Sequence, residues 1–163
     1  MNNLKNNIII LIDSREKSFD HIKEKLKKQN IKYKIKKLEY GDYSFEYKNN
    51  KEKINFEDKI VIERKRNLEE MTQSIGEYRD RFERELKRAK DDNCKFYLMI
   101  EDGNWRMLKD GVYDTQYNPK PFVATLKTYE SRFEYIRINF IDSNLSAWWI
   151  YNTFKYYLRE CLL

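Results

Sequence analysis

The sequence has few of the residues on which several common kinds of protein site depend. Only 2 cysteines, Cys94 and Cys161, occur in 163 residues, too few and too far apart for a disulfide framework or a cysteine-rich zinc site. Each is interpreted as a buried, reduced thiol, as expected in a reducing compartment. His21 is the one histidine, so histidine-based metal centres and cysteine–histidine nucleophile pairs have almost no residues to build on.

Glycine, proline and long apolar runs are also scarce. The 4 glycines and 2 prolines form no linker, and we find no repeat and no low-complexity segment, which favours a single domain over residues 1–163. No apolar run approaches the roughly 20 residues of a membrane-spanning helix, and no charged-then-apolar leader opens the chain. We therefore expect a soluble intracellular protein with no membrane partner.

Charged and aromatic residues, by contrast, are plentiful. The chain is 37% charged and 15% aromatic, and because aromatic side chains bury much area per residue, this composition argues against disorder. The formal net charge of +6 fits a polyanionic partner such as a nucleic acid but does not require one. The frequent lysine, asparagine, isoleucine and tyrosine would equally follow from an AT-rich genome.

The order of apolar patterns predicts a mixed α/β domain. Continuous or alternating apolar patterns predict strands within residues 6–13, 31–40, 41–65 (a hairpin turning at 48–51, then a further strand), 95–102 and 134–142. Helical spacing predicts helices over residues 19–30, 68–92 (broken near Gly76), 119–133 and 144–163, the last capped by Ser143. That last helix is apolar nearly all round, so it lies in the core or in a dimer interface.

The end of one predicted strand carries the strongest chemical signal. In "IVIERK", residues 60–65, three apolar residues lead directly into Glu63, Arg64 and Lys65. Residues two apart on a strand share a face, so Glu63 and Lys65 point to one side and Arg64 to the other. A carboxylate beside an ammonium suits metal-dependent phosphodiester hydrolysis, which needs oxygen ligands for Mg²⁺ or Mn²⁺ and a cation near the attacking water.

The Glu-x-Lys spacing by itself is a weak signal. Glutamate and lysine are so frequent that the spacing arises by chance, for example at Glu57–Lys59 in a polar stretch and at Glu85–Lys87 in a charged helical pattern. Of these three pairs, Glu63–Lys65 is the one that directly follows an apolar strand. The context, rather than the spacing, singles it out.

Four segments in order resemble the XPF-type structure-specific nuclease domain. They are "LIDSREK", "YGDYSF", "IVIERKRNLEEM" and "SIGEYRDRFERE", similar to that family's Asp-x-Arg-Glu, Gly-Asp-Tyr, Glu-Arg-Lys followed by an acid, and Ser…Arg helix. The resemblance extends over nearly the whole chain, because residues 118–143 are similar to the family's late helix and strand. It implies an α/β fold with a restriction-endonuclease-like core, in which helices flank a mixed central sheet.

The resemblance also implies roles for individual residues. Asp42 and Glu63 match the family's metal ligands, and the main-chain carbonyl of Arg64 matches a third. Lys65 matches the lysine that positions the water and stabilises the transition state. Asp13 is grouped with these catalytic and metal-binding residues.

Further residues match supporting or DNA-binding positions. Glu16 forms with Asp13 the acidic pair after the first strand, which lies near the metal and supports the site. Family arginines, which contact phosphate or pair with the acids, are matched by Arg15, Arg64 and Arg79. Glu69 stands where the family usually has aspartate, so its role is open.

Structural roles compete with these assignments. Asp13 could cap the turn that follows it, and Asp42 could be an ordinary turn residue after Gly41. Most arginines around Arg79 have acidic partners three or four residues away, as on a solvated helix. The sequence leaves these alternatives open.

The resemblance implies a Mg²⁺- or Mn²⁺-dependent endonuclease that cuts branched DNA, such as flaps, forks or junctions, in repair, recombination or replication. It would be a homodimer or heterodimer, cytoplasmic and associated with DNA. Glycine does not recur after Gly111, so we expect a phage-like standalone domain without the family's helix-hairpin-helix modules. The alternatives are a catalytically silent DNA-binding or dimerisation partner of a nuclease, and an RNA-directed nuclease.

Overall fold

The computed structural model describes residues 2–163. The strands of this part of the chain are β1 (Ile8–Asp13), β2 (Lys32–Lys36), β3 (Tyr43–Lys48), β4 (Lys53–Asn55), β5 (Ile60–Lys65), β6 (Lys95–Glu101) and β7 (Ile136–Ile141). The helices are α1 (Asn2–Asn7), α2 (Asp20–Lys28), α3 (Leu68–Ile75), α4 (Arg79–Asp91), α5 (Trp105–Asp110), α6 (Pro119–Arg132) and α7 (Ser146–Leu162).

The strands form one mixed sheet in the order β2-β1-β3-β5-β6-β7, with β4 paired to β3. The pairs β1–β2, β5–β6 and β6–β7 are parallel, and β3 runs antiparallel to both β1 and β5. One core packs α2 and α7 against the sheet, and a second core packs α3, α4 and α6 against its other face. This arrangement confirms the predicted α/β fold with a mixed central sheet between helices.

Some local predictions are wrong. No sequence pattern predicts α5, because its six residues are too few for a clear period; the side chain of Asn104 caps its first turn. Ser143 does not cap α7, because a short 3₁₀ turn intervenes and the Asp142 side chain caps that turn instead. Cys94 is buried as expected, whereas Cys161 is exposed. In the described residues no helix has both the length and the apolar character needed to cross a membrane.

The alternation of side chains along β5 sorts its residues between the two cores. Ile60 and Ile62 belong to the core beneath α7, and Val61 belongs to the core beneath α4. Glu63 and Lys65 continue the Val61 face, so they point toward α4, as the strand period predicts. β3 starts beside them, because Tyr43 pairs with Ile62.

The turn before β3 requires glycine. Gly41 has φ of +74°, and a Cβ built on it would lie 2.8 Å from the Cβ of Val61. We expect Gly41→Ala to lower the free energy of unfolding by about 1–3 kcal/mol, because it adds left-handed strain to this overlap. Urea denaturation measures the change.

Adding Val61→Ala to Gly41→Ala provides the matched control. Val61→Ala removes the Cγ atoms at 3.1 and 3.4 Å but keeps the Cβ at 2.8 Å. The overlap is therefore eased only in part and the unfavourable φ remains, so the double variant should recover a small part of what the two single changes would lose together. A Gly41→Ala protein as stable as the wild type would contradict the prediction.

Candidate active site

Asp42 is held at the junction of three strands. Its main-chain N–H donates to the Ile62 carbonyl at 2.9 Å, and its carbonyl accepts from the N–H of Asp13 at 2.8 Å. Its side-chain Oδ2 accepts from the N–H of Arg64 at 2.7 Å. These bonds fix the carboxylate at the point where β5 reaches Glu63.

Lys65 and Glu63 form a buried ion pair beside it. Lys65 Nζ lies 3.1 Å from Glu63 Oε1, and both residues are buried. The ammonium also lies 5.1 Å from the centre of the Phe82 ring, on α4. Burial opposes the charge, but Glu63 and Asp42 outweigh it and raise the pKa of Lys65 to about 12. Lys65 is therefore a fixed cation at neutral pH.

Glu85 on α4 is a site residue that the sequence analysis missed. Its Oε1 accepts a hydrogen bond from the Gly41 N–H at 2.7 Å. Burial raises its pKa, and the neighbouring Glu63 raises it further, to about 8. A signal was available, because Glu85 lies three residues after Phe82 and four before Ala89, on the buried stripe of α4.

The site has more carboxylates than cations to neutralise them. Burial, followed by the charges of Glu63 and Glu16, raises the pKa of Asp42 well above its usual range. Burial also raises the pKa of Glu16. Glu16 Oε2 and the Tyr43 hydroxyl are buried, and within residues 2–163 neither has a hydrogen-bond partner. Carboxylates crowded in this way favour the binding of a positive ion.

The donor set fits a hard divalent cation. Within residues 2–163, no three histidine, cysteine, aspartate or glutamate side chains are grouped as a ready ligand set. Mg²⁺, however, is usually held by one or two carboxylates and keeps several waters. Asp42 and Glu63 are two neighbouring carboxylates of this kind, and the Arg64 carbonyl stays a predicted third ligand.

Comparison with known proteins identifies the family of the chain. The family model described as "ERCC4 domain" matches residues 12–153. The chain belongs to the ERCC4 domain family. No curated protein matches the sequence.

Two solved structures resemble the fold. XPF from Aeropyrum pernix matches with a TM-score of 0.65 and 17% identity over 91% of this chain and 61% of that one. XPF from Aeropyrum pernix in complex with DNA matches with a TM-score of 0.65 and 16% identity over 93% of this chain and 66% of that one. This ERCC4 domain thus spans less than two thirds of each of those chains.

Asp13 of the ERCC4 domain is engaged by nearby donors. Its Oδ2 accepts from Arg15 Nε at 2.9 Å and from the Arg15 N–H at 3.2 Å, while its Oδ1 accepts from the Leu38 N–H at 2.8 Å. These bonds cap the turn after β1, which is the structural alternative raised by the sequence. A direct role of Asp13 at the metal stays a prediction.

Arg64 faces away from Glu63 and Lys65, as the strand period predicts. Its guanidinium is buried, with Nε 2.5 Å from Glu101 Oε1 and Nη1 3.4 Å from Glu16 Oε1. It also donates to the carbonyls of Lys17 and Ser18 at 3.1 and 2.9 Å. Arg64 therefore pairs with acids and holds the loop between β1 and α2, while Arg15 remains exposed enough to meet a phosphate.

Glu69 and Arg79 contact other parts of the ERCC4 domain. Glu69 Oε1 accepts from the Asp114 N–H at 3.0 Å. Arg79 donates to the Ile75 carbonyl and to Thr125 Oγ1, both at 2.7 Å, and so joins the end of α3 to α6. The structure brings together Asp42, Glu63, Lys65, Glu16 and Glu85. It uses Glu69 and Arg79 for contacts between helices and loops.

The raised pKa of Glu85 predicts how stability depends on pH. The usual glutamate pKa is about 4.3, so between about pH 5 and 8 the folded state holds a proton that the unfolded chain has released. The free energy of unfolding should therefore fall as pH rises through this window, by at most about 1.4 kcal/mol per pH unit. Glu85→Gln should flatten the dependence, as measured by urea denaturation in EDTA.

Glu77→Gln is the control for this measurement. Glu77 is exposed and lies between α3 and α4, so its replacement should leave the slope unchanged. Equal slopes for Glu85→Gln and the wild type would contradict the assignment.

Proposed function

We propose that this ERCC4 domain is a Mg²⁺- or Mn²⁺-dependent endonuclease that cuts branched DNA in repair, recombination or replication. The observation that carries the proposal is the meeting of Lys65 with Asp42 and Glu63 at the C-terminal end of the central strand β5, where the carboxylates lack sufficient positive charge. A carboxylate pair with an adjacent fixed ammonium suits phosphodiester hydrolysis.

Each residue has a distinct part in this proposal. Asp42, Glu63 and the Arg64 carbonyl would hold the metal, which supplies Lewis-acid stabilisation and a more acidic bound water. Lys65 remains protonated, with a pKa of about 12, so it orients the attacking water and stabilises charge on the phosphate rather than accepting a proton. The products would carry a 5′-phosphate and a 3′-hydroxyl.

Glu85 positions the turn that precedes β3. It holds the Gly41 N–H at 2.7 Å and thereby the turn from which Asp42 projects. Its carboxyl group also lies near Glu63, whose charge raises the pKa of Glu85. Glu85 thus links α4 to both proposed metal ligands.

The choice of DNA is supported by one related structure, XPF bound to DNA, and by the net charge of +6. Contacts to phosphates should make binding strongly salt-dependent. The preference for branched DNA, and assembly as a homodimer or heterodimer, follow from the resemblance to XPF-type nuclease domains.

Cleavage of end-labelled single-stranded, duplex, flap, fork and four-way DNA in Mn²⁺ tests the proposal. We expect the branched substrates to be cut and Asp42→Asn to lower cleavage by about 10²–10³-fold, the usual loss when one group that stabilises the transition state is removed. Titration calorimetry should show Mn²⁺ binding that Asp42→Asn weakens. Asp58→Asn, on an aspartate that is 63% exposed, is the matched control and should change neither quantity.

Other outcomes distinguish the alternatives. A folded protein that neither cuts DNA nor binds Mn²⁺ would support the catalytically silent partner. Cleavage of RNA but not DNA would support the RNA-directed nuclease. Cleavage that Asp42→Asn leaves intact would remove Asp42 from the site.

A further inference from the structure

A groove lies between α7 and the strands β6 and β7, on the opposite face of the sheet from Glu63 and Lys65. Lys95 and Tyr97 on β6 pair in register with Ile60 and Ile62, so their side chains share the α7 face. The groove has a volume of about 740 Å³. A molecule bound here would therefore be separated from the proposed active site by the sheet.

Two rows of α7 side chains, each at four-residue spacing, form one wall. The outer row is Trp148, Asn152, Tyr156 and Glu160, and the inner row is Trp149, Thr153, Tyr157 and Cys161. Trp148 is 54% exposed and Tyr156 is 48% exposed. In the inner row, Trp149 packs edge-on against Tyr97, with the ring centres 5.9 Å apart. The inner Trp149 ring is fixed by packing, and the outer rings are exposed to solvent.

Cations lie against these rings. Lys155 Nζ and Arg159 Cζ are 5.5 and 4.8 Å from the centre of the Tyr156 ring. Lys95 Nζ is 5.4 Å from the centre of the Tyr157 ring. The acidic side chain of the groove, Glu160, is already paired with Arg159 at 3.2 Å. The groove therefore combines aromatic faces with an excess of positive charge.

We propose that this groove binds single-stranded DNA. Bases would stack on Trp148 and Tyr156, and Lys95, Lys155 and Arg159 would neutralise the phosphates. Surfaces that bind single strands without sequence preference combine a positive groove with aromatic side chains, because every base has a face that can stack. The choice of DNA over RNA rests on the proposed function.

The lysines, rather than the aromatic residues, disfavour a protein occupant. The core of a protein–protein interface is enriched in tyrosine, tryptophan and arginine but depleted in lysine, and Lys95 and Lys155 lie against the rings of this groove. Asn139 and Asn152 add amide groups to the lining, and amides can hydrogen-bond to base edges. Charge complementarity thus favours a polyanion with planar bases.

Placement on the opposite face gives the groove a role of its own. A strand held there is a different one from the strand at Glu63 and Lys65. A flap or fork has a single-stranded arm in addition to the duplex that is cut. The groove would hold that arm and thereby favour branched substrates over plain duplex.

Anisotropy of a labelled oligo(dT), titrated with the whole chain in EDTA, tests the proposal. We expect Trp148→Ala and Tyr156→Ala each to weaken binding by about 10-fold, since stacking of one base contributes roughly this much. Tyr78→Ala is the matched control, because Tyr78 is an exposed ring, 42% accessible, with Arg81 4.7 Å from its centre, outside the groove. It should leave the affinity unchanged, and thermal unfolding checks that all three variants are folded.

Several results would overturn the inference. Affinity that is unchanged in Trp148→Ala and Tyr156→Ala would exclude the groove, and tighter binding of oligo(rU) than of oligo(dT) would exclude DNA. A dimer in sedimentation that Trp148→Ala dissociates would make a second copy the occupant.

The inference and the proposed function can fail separately. Binding is measured without metal, so it does not require the proposed metal site. A protein that binds oligo(dT) through Trp148 but cuts no DNA would retain the groove and lose the nuclease. Conversely, the Trp148→Ala and Tyr156→Ala variants could cut branched DNA at the wild-type rate and bind oligo(dT) with unchanged affinity. That result would exclude the groove and retain the nuclease.

Discussion

Replacing Lys65 by alanine should lower the rate of DNA cleavage by about 10²–10³-fold, the loss expected when one group that stabilises developing charge is removed. The buried ammonium lies 3.1 Å from Glu63 and stays protonated with a pKa of about 12. The proposed metal ligands, Asp42, Glu63 and the Arg64 carbonyl, supply no positive charge, and the Arg64 guanidinium pairs with Glu101 and Glu16 instead. Single-turnover cleavage of a fork in Mn²⁺, with enzyme in excess, measures the change.

Lys59→Ala is the matched control for this experiment. Lys59 has the same Glu-x-Lys spacing to Glu57, but it is 56% exposed and pairs loosely with Asp58 at 3.6 Å. Its replacement should leave the rate within a small factor of the wild type. Equal cleavage rates for Lys65→Ala and Lys59→Ala would contradict a catalytic role for Lys65.

A separate measurement distinguishes a loss of catalysis from a loss of stability in Lys65→Ala. Removing the ammonium leaves Glu63 buried without its partner, so the variant should lose stability in the absence of metal. Mn²⁺ should restore part of that stability by binding the folded state. Thermal unfolding with and without Mn²⁺ therefore identifies conditions in which the variant is folded, and its rate should be compared there.

Replacing Arg64 by methionine should lower the free energy of unfolding by about 3–5 kcal/mol, the usual cost of breaking a buried ion pair from one side. The change leaves Glu101 and Glu16 without their cation and frees the carbonyls of Lys17 and Ser18. The main-chain carbonyl of residue 64, which is proposed to face the metal, is retained in the variant. Urea denaturation measures the loss.

Glu101→Gln in the Arg64→Met background tests the cause. The neutral amide removes the unpaired charge, and the double variant should recover part of the loss. Arg15→Ala is the control, because its guanidinium is 62% exposed and bonds Asp13; it should cost about 1 kcal/mol or less. If Arg64→Met lowers the free energy of unfolding by less than Arg15→Ala does, Arg64 does not stabilise the loop between β1 and α2.

Local periodicity explains what the sequence could predict. The continuous apolar runs of β1, β5 and β6 identify strands covered on both faces, and the sheet confirms them. The period of a strand also placed Glu63 and Lys65 on one face and Arg64 on the other, because alternation is a property of the backbone alone. The glycine before Asp42 indicated a turn, and its φ of +74° confirms one.

Contacts between distant segments lie beyond such reasoning. Glu85 contacts Gly41 across 44 residues, and Arg64 contacts Glu101 across 37. Neither pair has a local spacing that predicts it. In the sequence Glu85 is one of many charges on α4, and only packing of that helix against the sheet places its carboxyl group beside the turn before β3.

The groove beside α7 also depends on packing that the sequence pattern does not predict. The sequence indicated that this helix is apolar nearly all round, which left core and interface as alternatives. The structure buries Ile150, Phe154 and Leu158 and leaves Trp148 and Tyr156 exposed, because the sheet covers one side of the helix.

The sequence by itself determined the family motifs, the order of strands and helices, and the alternation that separates Lys65 from Arg64, since these depend on neighbours along the chain. The tertiary structure decided which groups meet: Glu85 with the Gly41 N–H, Arg64 with Glu101 and Glu16, and Asp13 with the Leu38 N–H. Ionisation in the site follows from burial and from charges on other strands and helices. Those surroundings exist only once the sheet has assembled.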